Sequence, residues 1–170
     1  MFLNYIKDFF IKKIVKKNLH NVKNEVFKSS IQTVGLLIDE SNFNNSEALK
    51  KELILNGILS ENIKIIVYQR KFKEKKEYSL PTFGKNQMNW KGEFEEVFLK
   101  EFIATEFDLL ISYYSIEKPI LMMITQKSKA KFKVGFASID KSLNRWMIET
   151  SLENYKLFIF ELFKYLKNIK

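Results

Sequence analysis

The sequence predicts a three-layer, Rossmann-like α/β sandwich with a mostly parallel sheet of four to six strands and long helices at the N- and C-terminal ends. The first observation behind this is a set of short apolar runs without polar alternation, at 33–38 (TVGLLI), 62–68 (NIKIIVY) and 109–111 (LLI). Such runs suit strands covered on both faces, as parallel sheets require. The second is that helical patterns separate the runs, so 33–68 and 107–138 both read as β-α-β units with parallel strands. The third is size. A chain of 170 residues, 46% apolar and with 16 Phe, suffices to bury one core and reads as a single α/β domain over 1–170.

Taken in order, residues 1–28 read as a basic amphipathic helix leading into the domain. Ile11, Ile14, Val15, Leu19, Val22 and Val26 follow helical spacing and form one stripe. Phe2, Ile6, Phe9 and Phe10 project to another side, towards Lys12, Lys13, Lys16 and Lys17. The stripe suits packing on the sheet. The offset aromatics beside lysines suit contact with an anionic membrane surface or a protein partner.

After the first strand, Asn44 with Glu47 three residues on offers a capping-box start for a helix through Asn56, which Gly57 would close in a left-handed conformation. The run at 70–76 (RKFKEKK) reads as a solvated loop. Pro81 and Gly84 mark turns, a short strand is expected near Thr82 or Met88, and 89–92 reads as a turn carrying a buried or half-buried Trp90. A helix is expected at 93–104. The second β-α-β unit, 107–138, has Pro119 at the first helical position and Gly135 inside its second strand. An edge strand follows at 146–148. Thr150 and Glu153 form a second capping box for a C-terminal helix to about 168, with Phe158, Ile159 and Leu162 among the residues at core spacing.

Composition excludes several chemistries. The chain has no Cys, which removes disulfides, thiolate metal sites and a Cys nucleophile, and fits a reducing compartment. No stretch reaches the roughly 18 uncharged apolar residues of a membrane span. The N-terminus, interrupted by Lys7 and Asp8, lacks the features of a cleaved signal peptide. The expected location is cytoplasmic, with peripheral contact at the inner membrane through the N-terminal helix. Net charge is +9, but only Arg70 and Arg145 among 29 basic residues are arginines. Readers of specific nucleic-acid sequence rely more heavily on Arg, so specific nucleic-acid binding is disfavoured.

No phosphate-binding glycine motif, nucleophile elbow or metal-binding His pair is present. The turn after the first strand is acidic and lacks Gly, which argues against phosphate cradling there. The single histidine, His20, reads as a surface residue of the N-terminal helix. In a doubly wound sheet a site lies outside the carboxyl ends of the strands. The residues at those ends are Asp39, Glu40, Ser112, Tyr113, Tyr114, Ser138 and Asp140. Their carboxylates and hydroxyls suit acid/base work or oxygen ligation of a cation, and equally helix capping and loop solvation. No catalytic residue, metal site or cofactor is assigned.

Four stretches, VGLLIDESNF at 34–43, FDLLISYY at 107–114, FKVGFASIDKSLN at 132–144 and ETSLENYKLFIFELFKYLKNI at 149–169, resemble a family of uncharacterised Bacteroidota proteins of about this length. The likeness covers nearly the whole chain and implies a small cytosolic α/β protein without a known activity. FDLLIS, a helix and then KFKVGF also look like part of the first Rossmann-like half of heptosyltransferase-type GT-B enzymes, over about 30 residues. The Gly-Asp turn and second, nucleotide-binding domain of those enzymes have no counterpart here, so that likeness implies architecture alone.

The expected function is therefore a non-catalytic binding or adaptor role, with the N-terminal helix as contact surface. One alternative is a small ligand-binding protein or enzyme, related to nucleotides or sugar nucleotides, using the strand-end crevice. Another is a basic protein associated with ribosomes or nucleic acid.

Overall fold

The computed structural model describes Lys13, residues 30–73 and residues 75–168. Six strands are present among these residues: β1 (Val34–Asp39), β2 (Ile63–Tyr68), β3 (Thr82–Phe83), β4 (Leu109–Tyr113), β5 (Phe132–Phe136) and β6 (Trp146–Ile148). The helices are α1 (Ser46–Leu55), α2 (Val97–Ala104), α3 (Pro119–Lys127) and α4 (Tyr155–Asn168). The sheet order is β3-β2-β1-β4-β5-β6 and every neighbouring pair is parallel. From β1 in the middle, the described strands build to one edge, then return beside β1 and build to the other. This is the doubly wound order, and its reversal between β1 and β4 is the topological switch point.

Burial explains the apolar runs. Every residue of β1 and β4 is buried. Helices α1 and α4 pack together on one face of the sheet, while α2 and α3 pack together on the other. Tyr113 of β4, Phe136 of β5 and Phe158 of α4 form an aromatic cluster with ring centroids 4.8–5.2 Å apart.

At the opposite, amino-terminal ends of the strands, Asp108 ties three chain segments together. Its Oδ2 accepts from the backbone N–H of Gln32 and Thr33, each at 3.0 Å, and from Thr33 Oγ1 at 3.1 Å. Its Oδ1 accepts from Lys131 Nζ at 2.8 Å.

Local signals were kept in part. Gly57, at φ 95°, ends α1 with Ile58 N–H bonded to Leu53 and Gly57 N–H to Ile54, a Schellman closure. Pro119 opens α3 at its first turn. Asn144 packs where a Cβ on Gly135 would lie, the close approach expected at that glycine.

Other expectations are corrected. Helix α1 starts at Ser46 behind Asn45, with no side-chain cap, so the Asn44–Glu47 box does not form. Helix α2 starts at Val97, not 93, because Phe94 is held in an antiparallel bridge to Met88. That leaves Val97 66% exposed. Trp90 is likewise exposed, at 69%, with Lys91 Nζ 5.4 Å from its ring centre. The turn at 89–93 is closed by Asn89, whose side-chain oxygen accepts from the N–H of Lys91 and Glu93, and Trp90 stands on the exposed part of that turn. The Thr150–Glu153 box precedes a turn, and α4 begins at Tyr155.

The expected N-terminal helix, with Phe2, Ile6, Phe9, Phe10, Lys12, Lys16, Lys17 and His20, lies outside the described residues. Lys13 is helical and exposed. Among the described residues no helix is long and apolar enough to cross a membrane.

Candidate functional site

A cleft of about 450 Å³ opens over the carboxyl ends of β1 to β4. Ser41 and Asn42 reach it from the turn after β1, Tyr68, Arg70 and Lys71 from the end of β2, and Lys85, Asn86 and Met88 from the segment after β3. Ile116, Lys118, Pro119 and Ile120 close it from the start of α3. The location is the one that doubly wound topology dictates, because strand-end loops on the two sides of the switch point diverge there.

Asp39 is the buried floor of this site. It is 1% exposed and forms an ion pair with Lys118 Nζ. Its other partners are Ser41 N–H at 3.1 Å and Asn42 Nδ2 at 3.0 Å. One carboxylate thus positions three cleft residues. Lys118 Nζ also lies 4.8 Å from the centre of the Tyr68 ring, so a cation–π contact holds it from the other side. Glu40 is half-buried and bridges Ser46 Oγ at 3.0 Å to Gln69 Nε2 at 3.2 Å, joining the start of α1 to the end of β2.

The remaining cations have no such partner. Among the described residues no carboxylate pairs with Arg70, Lys71 or Lys85, all three of which are exposed. A second hollow of about 470 Å³ adjoins the first and shares Arg70, Lys85 and Asn86 with it. Phe72, Lys73, Lys75 and Gly84 line it further out.

The seven residues chosen from the strand ends have three different situations. Asp39 and Glu40 underlie the cleft as described. Ser112, Tyr113 and Tyr114 are buried: Ser112 Oγ lies 3.1 Å and Tyr114 OH 2.8 Å from Thr125 Oγ1, and Tyr113 OH donates to the Leu152 carbonyl at 2.7 Å. Burial raises the pKa of both phenols, with the Glu153 charge a further cause at Tyr113. Ser138 and Asp140 stand one loop away. Ser138 Oγ donates to the Ser115 carbonyl at 2.9 Å, Asp140 N–H donates to Glu117 Oε1 at 3.1 Å, and the Asp140 carboxylate accepts from Ser142. Among the described residues no three of His, Asp or Glu stand together as a metal site would require.

Sequence patterns did not single out Arg70, Lys71, Lys85 or Lys118. A signal for the first two was present. The run 70–76 directly follows an apolar strand, and in a parallel sheet residues there reach the ligand-binding end.

A family of unknown function matches the chain over residues 7–169. The chain belongs to the DUF6913 family. No curated protein and no solved structure matches this DUF6913 chain.

Proposed function

We propose that this DUF6913 protein binds a small phosphate-bearing ligand of the nucleotide or sugar-nucleotide class in the cleft over β1 to β4. The observation that carries this is the convergence of Arg70, Lys71 and Lys85 on one concave surface, beside Lys118 held by Asp39, with no carboxylate paired to those three among the described residues. The cleft volume falls within the range of small-molecule sites, roughly 300–1,000 Å³. Guanidinium and ammonium donors lining the cleft suit phosphate oxygens.

Thermal denaturation in the presence of nucleotides, sugar nucleotides and inorganic phosphate tests the proposal. A ligand at about 100 times its Kd stabilises by roughly 2.7 kcal/mol. The Arg70→Glu/Lys85→Glu variant is expected to lose that shift while melting like the parent. Absence of any shift with all three classes overturns the proposal.

The adaptor role, cytoplasmic and peripheral at the inner membrane, is a second reading supported by the sequence pattern of Phe2, Ile6, Phe9 and Phe10 beside lysines. Deleting residues 1–10 is expected to abolish sedimentation with anionic vesicles and leave the melting temperature unchanged. Loss of folding on deletion overturns it.

A further inference from the structure

We infer that the cleft and the adjoining hollow together form one groove for single-stranded nucleic acid, bound through its phosphates and without regard to sequence. The inference rests on the anion-binding reading of the inner cleft and names a longer ligand for it. Continuity carries it first. Arg70, Lys85 and Asn86 line both hollows, so the two adjoin across these exposed polar side chains. A mononucleotide would need only the inner cleft and would leave Lys73 and Lys75 of the outer hollow without contact to it.

Charge spacing carries it second. Lys118 stands at the inner end, Arg70 and Lys85 at the junction, and Lys73 and Lys75 at the outer end. Among the described residues, the lining of the two hollows includes no Asp or Glu. Basic groups repeated along a groove match a ligand whose negative charge repeats along a chain.

Rigidity is the third element. Phe72 lines the outer hollow, and its ring stacks on Tyr78 with centroids 5.5 Å apart and planes 18° from parallel. Its Cβ is pressed against Gly84, 2.6 Å from where a Cβ at that position would lie. The basic segment is therefore fixed to the chain after β3 and carries a held aromatic surface suited to base stacking. Lysine dominates the groove, and lysine contacts phosphate as a point charge without the forked geometry that reads base edges. This agrees with the scarcity of arginine, which disfavours sequence-specific reading while leaving backbone binding open.

The test is fluorescence anisotropy of the full chain with a labelled single strand of roughly 12 nucleotides. Release of counterions from about four phosphates predicts roughly 50-fold weaker binding at about 200 mM salt than at about 50 mM. Lys73→Glu/Lys75→Glu is expected to weaken the oligonucleotide at least about tenfold and leave mononucleotide binding unchanged, because only a strand reaches the outer hollow. Lys156→Glu/Lys167→Glu, an equal charge change on α4, is expected to weaken it less than about twofold. Equal losses from the two double variants, or equal affinity for duplex, overturn the inference. If mononucleotides bind and the strand does not, the groove falls and the small-ligand site stands. If neither binds, both fall.

Discussion

Phe72 and Gly84 meet so closely that a Cβ at position 84 would lie 2.6 Å from Phe72 Cβ. The contact joins the basic segment after β2 to the chain after β3, and so sets the width of the groove between them. Gly84 is extended, at φ −125°, so the requirement for glycine is one of space and not of backbone angle. Gly84→Ala must push the segment away, since a Cβ cannot swing aside as the tip of a long side chain can. The expected cost is about 1–3 kcal/mol of stability, the usual range for an overpacked site, together with weakened anion binding. Chemical denaturation and ligand titration of the same variant check the two effects. An unchanged affinity would show that the segment is not held by this contact.

Lys118→Met leaves the Asp39 carboxylate buried without its counter-charge. Breaking such a pair costs about 3–5 kcal/mol. The lower end is expected here, because the Lys118 side chain is 19% exposed and Asp39 keeps the Ser41 and Asn42 donors. The double variant Asp39→Asn/Lys118→Met removes both charges, and is expected to recover most of the loss. Urea unfolding of the three proteins measures this. A double variant as unstable as Lys118→Met would mean that packing, not charge, holds this corner.

Acid sensitivity is expected to centre on Asp108. Burial raises its pKa, but the Lys131 ammonium and the donors of Thr33 and Gln32 together outweigh burial and hold it below the ordinary value. A carboxylate with a depressed native pKa contributes stability that is present above the unfolded-state value of 3.8 and is lost as pH falls through the native value. Asp108→Asn is expected to cost about 1–3 kcal/mol at neutral pH, and to flatten the decline of stability below 3.8. Unfolding free energies measured across that acid range in both proteins provide the check.

Lys133 gives the opposite dependence. Its Nζ donates to the Thr125 carbonyl at 2.7 Å and the Gln126 carbonyl at 3.2 Å, at the C-terminal end of α3. Burial lowers its pKa from 10.5 to about 8. Between these values the unfolded chain holds more protons, so raising the pH from about 8 to 10.5 stabilises the folded protein at this position. The stability of the parent relative to Lys133→Met is therefore expected to rise over that interval. Taking the difference between the two proteins cancels the other lysines. A flat difference would place the ammonium in contact with water.

The sequence by itself determined the layered parallel architecture, because covering a strand on both faces leaves its mark in adjacent residues. TVGLLI and FDLLIS carry that mark, and so do Pro119 and Gly57 at the helix ends they shape. Boundaries set by distant partners were not legible. Phe94 reads as helical in its own neighbourhood, yet its bridge to Met88 holds it out of α2. The same division applies to the site. Asp39 at the end of β1 was visible as a strand-end carboxylate, but its partner Lys118 is 79 positions away and enters only through the return of the chain beside β1. Arg70 and Lys71 read as part of a solvated loop in a linear view, and Lys85 stood out in no pattern. Only the parallel sheet, by bringing the ends of β1 to β4 to one side, placed them around a single cleft, because a charge pattern records what one segment carries and not what faces it.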